Sequence, residues 1–240
     1  MCPPAQPVIV VGIDDTDIEG SPGTNQLARL IVSRLGATAR GFVITRHQLF
    51  FDARVPYTSG NGSASIQLPQ GDQVPRAELL DRIRTAMREW YVEGSDPGLA
   101  VAERSTPTID VFAARAKTEV VTQDDARAVA AEAGCHLEGL GGTNQGIIGA
   151  LSSIALACGG NDGRVVHLDG WPWPDEVKGV QPITAIRERV TDIRLLSGEP
   201  FTGDVLDLGK HVRPNWSGGR IVLFVEPPAP GEIPRAAKIK

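Results

Sequence analysis

The chain is organised around the segment Val8-Ile9-Val10-Val11-Gly12-Ile13-Asp14-Asp15-Thr16-Asp17. Its first part is an apolar run rich in branched side chains, which predicts a buried β-strand. The strand ends at three carboxylates within four positions, and an amphipathic helix follows the segment Pro22-Gly23-Thr24-Asn25-Gln26. In an open α/β sheet, ligands bind at the carboxyl ends of the strands, so this order of elements predicts a ligand site at the acidic loop.

The acidic loop has two interpretations. A helix start offers free backbone N–H groups to an anion, and carboxylates beside that anion are explained if a magnesium ion bridges them to phosphate oxygens. In this interpretation Asp14, Asp15 and Asp17 are catalytic and hold the metal. In the other, the Asp residues form a turn and cap the next helix. The first interpretation adds three nucleotide-binding residues in the loop, namely Thr16, Gly23 and Asn25.

Bulk composition restricts the class of protein. A chain of 240 residues, 41% of them hydrophobic, is long enough to form a proper core. Its net charge of −5 gives no overall basic surface for nucleic acid. Any RNA role therefore needs a local basic patch. Cys2, Cys135 and Cys158 are too few and scattered for a zinc ribbon or a disulfide framework. We expect a soluble cytoplasmic protein, since no apolar run approaches the length of a membrane span.

Residues 1–104 have the pattern of an N-terminal α/β half. Strands are predicted at 8–13, 38–45, 63–68 and 98–102, with helices after the acidic loop and over about 75–92. This βαββαβ order predicts a ferredoxin-like arrangement.

Residues 105–226 are predicted to add a second α/β layer and a β-rich C-terminal segment, so the overall class is α/β (α+β). Helices are expected at 109–117 and 122–133, and a Gly-rich loop at 139–146. Residues 227–240 form a Pro-rich basic tail, which we expect to be disordered.

The Gly-rich loop repeats a sequence of the acidic loop. Gly-Thr-Asn-Gln occurs at 23–26 and again at 142–145, each time entering an apolar helix. The match is four residues long and is either chance or a sign that two helix starts converge on one polyphosphate. The glycines suit close approach to a ligand or a tight helix–sheet contact. If the glycines allow close approach to a ligand, the nucleotide-binding residues are predicted to be Gly141, Gly142, Thr143, Asn144 and Gly146.

Several familiar chemistries are missing from the sequence. There is no Walker A motif, no set of protein-kinase motifs, no pair of His residues with metal spacing and no Gly-x-Ser-x-Gly elbow.

The segment Lys210-His211-Val212-Arg213-Pro214-Asn215 gathers basic and amide groups that either face phosphate or form a solvated loop. What remains is an acidic loop with two Gly-rich helix starts, the components of magnesium-dependent phosphate chemistry.

Three motifs, in the same order, resemble the archaeal isoleucine-tRNA 2-agmatinylcytidine synthetase family. They are Gly12-Ile13-Asp14-Asp15-Thr16-Asp17 with Thr24 beyond it, the turn from Pro56-Tyr57 to Gly60-Asn61, and Gly146-Ile147-Ile148-Gly149-Ala150. The resemblance implies a kinase-like domain beside a ferredoxin-like domain, using ATP and magnesium to activate a cytidine oxygen that agmatine displaces. It also implies that the Asp residues handle metal and phosphate and that Thr24 is phosphorylated. The family's OB and zinc-ribbon patterns are not found after residue 155.

We therefore predict an ATP- and magnesium-dependent phosphoryl- or nucleotidyl-transfer enzyme, or a C–N bond-forming ligase. Its catalytic residues are Asp14, Asp15, Asp17 and Thr24, and its partners are ATP and an unidentified small-molecule acceptor, with tRNA less favoured. The alternative is a non-catalytic nucleotide- or metabolite-binding module, and a third is a structural α/β protein. The predicted substrate contacts are His47, Gly60 and Asn61.

Overall fold

The computed structural model describes residues 8–55, 60–69, 73–170, 177–188, 190–210, 212–229 and 231–239. The predicted turn at 56–59 and position 211 lie outside the described residues. The helices are α1 (Thr24–Leu35), α2 (Arg76–Trp90), α3 (Pro107–Ala116), α4 (Gln123–Ala133), α5 (Ile147–Cys158) and α6 (Ile183–Arg187). The strands are β1 (Ile9–Asp14), β2 (Val43–Gln48), β3 (Gly62–Leu68), β4 (Gly98–Ala102), β5 (His136–Gly139), β6 (Arg164–Leu168), β7 (Val180–Pro182), β8 (Asp192–Leu195), β9 (Val205–Asp207), β10 (Asn215–Ser217) and β11 (Arg220–Val225).

The apolar run of the first segment forms β1, which lies inside a large sheet. In the described part of the chain, nine strands form this sheet in the order β5-β4-β1-β3-β2-β6-β10-β11-β8, and β7 pairs with β9 separately. β1 is antiparallel to both neighbours, with Ile13 opposite Leu99 on one side and Ala64 on the other. The only parallel pair among the described strands of this sheet is β8 with β11.

Helices cover both faces of the sheet, which confirms the α/β class. Ile9, Val11 and Ile13 pack into a core with α1 and α2, whereas Val10 packs into a second core with α3, α4 and α5. This division follows from the alternation of side chains along a strand. Apart from a 3₁₀ helix at Gly36–Ala39, the first six helices and strands follow in the β-α-β-β-α-β order, which is the order that the ferredoxin-like prediction requires. None of the helices in the described residues combines the length and apolarity needed to cross a membrane.

The expectation of a disordered tail was wrong for residues 231–239. Ala236 donates its backbone N–H to the carbonyl of Asp207 at 2.9 Å, and Ala237 donates to that of Phe224 at 2.8 Å. Ala237 is only 3% exposed. β10 reaches no further than Val222 along β11, so the tail can pair with backbone groups that would otherwise lack partners. A third core beside this tail joins α6, β8 and β11.

Candidate active site

The acidic loop begins where β1 ends. Asp14 is the last residue of the strand, and its Oδ1 accepts the backbone N–H of Asp15 at 2.8 Å. Asp15 has a φ of 51°, a left-handed conformation that is uncommon for a residue other than glycine. The chain therefore turns sharply after the strand and holds two carboxylates next to each other at its carboxyl end.

Asp17 and Thr24 connect the loop to α1. Oδ1 of Asp17 accepts the backbone N–H of Thr24 at 3.1 Å and its hydroxyl at 3.0 Å. Gly23 at the N-cap has no side chain, so Asp17 satisfies the helix start in its place. The buried Thr16 donates its hydroxyl to Oγ1 of Thr24 at 3.2 Å. Asp17 thus caps the next helix, as one interpretation of the loop predicted. Asp14 ends the strand β1 and Asp15 follows it.

A pocket of about 560 Å³ lies beside the acidic loop. Both copies of the Gly-Thr-Asn-Gln sequence reach it, the first through Thr24 and Asn25 and the second through Gln145. The starts of α1 and α5 therefore meet at one pocket. Most backbone N–H groups of these two helix starts already have acceptors within the chain, so what favours an anion here is the positive end of each helix dipole. Of the predicted site residues, the pocket brings together Asp14, Asp15, Asp17, Gly23, Thr24, Asn25, Gly60 and Asn61.

Close packing of α5 against β1 sets the position of Asp14. A β-carbon on Gly149 would overlap the Asp14 carboxylate, and one on Gly146 would lie 2.6 Å from the Asp14 carbonyl oxygen. A β-carbon on Gly12 would overlap the carbonyl of Ala150. These glycines bring the helix directly against the end of the strand. The glycines of the Gly-rich loop were expected to allow either close approach to a ligand or a tight helix–sheet contact. Gly146 makes the helix–sheet contact.

Asp14 and Asp15 have raised pKa values. Burial, followed by the negative charge of Asp15, raises the pKa of Asp14 to about 7. Burial, followed by the charges of Asp96 and Asp17, raises the pKa of Asp15 to about 6. The positive charge of Arg46 acts in the opposite direction on Asp14 but is outweighed. The loop is thus short of positive charge, and a bound cation would stabilise its ionised carboxylates.

Most of the Gly-rich loop packs against the protein and does not line the pocket. Thr143 donates its backbone N–H to the Asp96 carboxylate, and its hydroxyl donates to the same group at 2.7 Å. Gly142 has a φ of 57°, and a β-carbon there would overlap that carboxylate. The aspartate at 96 therefore organises this loop. The structure does not bring to the pocket five of the predicted nucleotide-binding residues, which are Gly141, Gly142, Thr143, Asn144 and Gly146.

His47 lies in the core and not at the pocket. It is fully buried, with Nδ1 bonded to Asp162 and Nε2 bonded to Ser65, each at 2.9 Å. Burial is the main cause that lowers the pKa of His47. Ser65, His47 and Asp162 have the order of a hydrolase triad, but Ser65 is also fully buried, so its hydroxyl is closed to substrate. The structure thus gives His47 a structural position in place of the predicted substrate contact.

Arg46 lines the pocket, although sequence reasoning did not select it. It precedes His47 on β2, and neighbouring side chains of a strand point to opposite faces. Its guanidinium lies under Gly60 and Gly62, because a β-carbon on Gly60 would be 3.4 Å from it and one on Gly62 would overlap it. It also donates to Oε1 of Gln48 at 3.1 Å. The alternation of β2 is the signal that identifies Arg46 once the face of the pocket is known.

The start of α4 and the segment before it also line the pocket, and neither was predicted as part of the site. Thr122 and Asp125 form a capping box, with hydrogen bonds of 3.1 and 3.2 Å between each side chain and the other's backbone N–H. Glu119 and Asp124 line the pocket from this part of the chain. Part of the pocket lining therefore comes from a segment far along the chain, which adds two carboxylates to the site.

Oxygen atoms are the donors that this site offers to a metal. Among the described residues, no three His, Cys, Asp or Glu side chains are grouped so that they could hold a metal ion between them. Asp14, Asp15 and Asp17 all line the pocket, and Asp17 is in addition engaged in capping α1. Mg²⁺ in ATP-using sites is commonly held by one or two carboxylates, with water and substrate phosphates as its other ligands. The pair of carboxylates at Asp14 and Asp15 fits that chemistry.

Comparison with known proteins gives one curated relative and several solved structures. No family model matches the chain. The chain is 32% identical over 148 residues to TiaS, the tRNA 2-agmatinylcytidine synthetase of Pyrococcus horikoshii. These residues are 60% of this chain and 34% of TiaS, so the chain spans about a third of the length of that relative.

Two solved structures of TiaS have a similar fold. A complex of TiaS with tRNA and ATP has a TM-score of 0.53 at 25% identity, covering 62% of this chain and 36% of that one. A complex of TiaS with tRNA, AMPCPP and agmatine has a TM-score of 0.51 at 26% identity, covering 61% of this chain and 36% of that one. The resemblance indicated by the motifs is thereby confirmed: over about three-fifths of its length, this chain is similar to one part of tRNA 2-agmatinylcytidine synthetase.

Proposed function

We propose that this chain is an ATP-using enzyme that transfers a phosphoryl or nucleotidyl group, or uses that transfer to form a C–N bond. The observation that carries the proposal is the meeting of the acidic loop with the starts of α1 and α5 at one pocket. The likeness to a synthetase solved with ATP supports it. The same likeness does not favour the alternative of a non-catalytic binding module.

ATP phosphates fit the end of the pocket where the two helices begin. The first turn of α1 offers the positive end of its helix dipole, and Thr24 and Asn25 line the pocket there. Gln145 lines it just before α5. In this proposal the chain's own dipoles hold the phosphates in place, which is most of what phosphoryl transfer requires of a protein.

Asp14 and Asp15 are the proposed magnesium ligands. Their raised pKa values reflect crowded negative charge, which a divalent cation would relieve. When bound, Mg²⁺ would neutralise phosphate oxygens and align them for in-line transfer. Asp17 is assigned two roles. Its Oδ1 positions Thr24 by accepting both the backbone N–H and the hydroxyl, and the same oxygen is the proposed acceptor of the hydroxyl proton.

Thr24 is the proposed transient acceptor of the transferred group, as the family resemblance implies. Its hydroxyl lines the pocket and donates to Asp17 at 3.0 Å. Attack by Oγ1 on a phosphorus of ATP would pass the hydroxyl proton to Asp17 and release ADP or pyrophosphate, according to the phosphorus attacked. The acceptor that receives the group from Thr24 is proposed to be a small molecule. The tRNA in the TiaS complexes makes RNA the second candidate.

The test is to incubate the chain with Mg²⁺ and ATP labelled at either its α- or its γ-phosphorus. We expect label on the peptide that contains Thr24, with γ-label marking phosphoryl and α-label marking nucleotidyl transfer. Asp15→Asn keeps the left-handed backbone, which Asn tolerates, and should reduce labelling by at least about a hundredfold. Asp81→Asn on the exposed side of α2 is the matched control and should label normally. Wild-type protein that takes up neither label, with or without added acceptor, would contradict the proposal.

A further inference from the structure

Three arginines lie together beside the pocket, two of them on one face of the sheet. Arg46 on β2 is directly opposite Arg164 on β6, and Arg164 is directly opposite Asn215 on β10. Residues opposite each other in an antiparallel pair point to the same face. Arg213 lies two positions before Asn215, and its positive charge acts on Arg164. The row therefore leads from the pocket, which Arg46 lines, across β6 to the segment before β10.

Ion pairs among the described residues do not neutralise the positive charge of this row. Among the described residues, no carboxylate lies within ion-pair distance of Arg46, Arg164 or Arg213. Burial, followed by the positive charges of Arg213 and Arg46, lowers the pKa of Arg164. Burial also lowers the pKa of Arg46, and the negative charge of Asp14 partly offsets this effect. Arg164 is thus a half-buried guanidinium between two other cations, an arrangement that an anion would stabilise.

The carboxylate closest in sequence to Arg164 is that of Asp162, which interacts with other residues. Asp162 accepts a hydrogen bond from Lys117 and is bonded to His47 at 2.9 Å. Burial acts to raise the pKa of Asp162, but its hydrogen bonds with His47 and Lys117 outweigh burial and hold the pKa below its ordinary value. Its charge is therefore balanced by its own partners, and Arg164 gains no counter-ion from it.

A buried amide in the same row is also left without a full set of partners. Asn215 is only 7% exposed, and its Oδ1 has no hydrogen-bond partner among the described residues. Its Nδ2 donates to the carbonyl of Gly163 at 3.4 Å. Because this oxygen is an acceptor, it can bond a donor of the ligand, such as a hydroxyl group, but not a phosphate oxygen, so the phosphate-binding groups of the row are its arginines.

We propose that Arg46, Arg164 and Arg213 form a phosphate-binding site next to the ATP pocket, and that the acceptor substrate carries the phosphate. Arginine suits this task because its planar fork of donors matches a phosphate in bidentate geometry. The site is the local basic patch that a chain with a net charge of −5 needs for such a ligand. The inference rests on the proposed function in one respect: ATP occupies the acidic end, so this second phosphate belongs to the acceptor. Its source is either a small phosphorylated molecule or the phosphodiester of an RNA strand.

The test measures binding of two probes to the full chain, cytidine 5′-monophosphate and a labelled single-stranded heptauridylate, in the presence of saturating Mg²⁺ and ATP. We expect Arg164→Gln and Arg213→Gln each to weaken binding by about tenfold or more. Each should also reduce the dependence of log Kd on log salt for the RNA by about one. Arg127→Gln, an exposed arginine on α4 and so on the other face of the sheet, is the matched control and should bind as wild type.

The two probes distinguish the sources, because tight binding of the monophosphate indicates a small acceptor and binding of the oligonucleotide alone indicates RNA. The inference is overturned if wild type binds neither probe, if Arg164→Gln and Arg213→Gln bind as well as Arg127→Gln, or if ATP displaces the probe. Thermal melting shows whether each variant is folded. If Arg164→Gln does not fold, the binding measurements on Arg213→Gln test the site. The ATP-induced rise in melting temperature of the wild type is read separately, so failure of the ATP proposal is distinguished from failure of this site.

Discussion

Gly149 lies so close to Asp14 that a β-carbon at position 149 would overlap the Asp14 carboxylate. We predict that Gly149→Ala displaces the carboxylate and lowers ATP-dependent labelling strongly. The same clash should reduce the free energy of unfolding by about 1 to 3 kcal/mol, the usual cost of overpacking. Labelling assays and denaturant melts of the variant measure both effects.

A double-mutant cycle separates this clash from a general effect on α5. Asp14→Ala removes the carboxylate, so Gly149→Ala should cost less stability in that background than in the wild type. Equal costs in the two backgrounds would show that position 149 does not act through Asp14.

Asp17 is predicted to act as a cap and not as a metal ligand. Asp17→Ala should lower the free energy of unfolding by about 0.5 to 2 kcal/mol, because the backbone N–H of Thr24 loses its acceptor. Asp17→Asn should retain most of the stability, since an amide oxygen caps nearly as well. Chemical denaturation of both variants measures this difference. If Asp17→Asn instead keeps its stability but weakens Mg²⁺ binding as much as Asp15→Asn does, Asp17 is a ligand.

The raised pKa of Asp14 makes stability depend on pH. Between its ordinary value of 3.8 and about 7, the folded chain binds the Asp14 proton more tightly than the unfolded chain does. Stability therefore falls as the pH rises through this range, and the loss persists at higher pH. Asp14→Asn cannot ionise, so its stability relative to wild type should increase by about 2 to 3 kcal/mol between pH 5 and pH 8, roughly two pKa units at about 1.4 kcal/mol each. Melts of both proteins across that range measure the gap, and a gap that does not change with pH would show that Asp14 does not titrate there.

His47 is predicted to support the core and to leave ATP binding unaffected. His47→Ala leaves the buried Ser65 hydroxyl and one side of Asp162 without their partner, at a cost of about 1 to 3 kcal/mol. ATP affinity, measured by calorimetry well below the melting temperature, should match the wild type. A normal stability with weakened ATP binding would place His47 at the ligand after all.

The local parts of the site could be predicted from the sequence. The branched apolar run ends at Asp14 because a buried strand tolerates no charge, and Gly23 before an amphipathic pattern indicates the start of α1. The repeated Gly-Thr-Asn-Gln indicated two helix starts, and Thr24 and Gln145 do reach one pocket.

The long-range parts could not be predicted in this way. Glu119 and Asp124 reach the pocket only because α3 and α4 pack against each other and against α5, and no local pattern encodes those contacts. Glycine permits close approach to a ligand or to protein, so its presence at Gly142 did not reveal that Asp96 is the neighbour. For β2, the strand was predicted but its orientation was not, which is why His47 was selected in place of Arg46.

The proposed function requires that ATP bind at the acidic loop together with magnesium. The most direct measurement is a thermal-shift titration with ATP, with and without Mg²⁺, on wild type and Asp15→Asn. At about a hundred times Kd, ligand binding adds about 2.7 kcal/mol, which for a chain of this size raises the melting temperature by roughly 5 to 10 °C. We predict that rise for the wild type only when Mg²⁺ is present, and its loss in Asp15→Asn. No shift in the wild type at any ATP concentration, or an equal shift in the variant, would contradict the account.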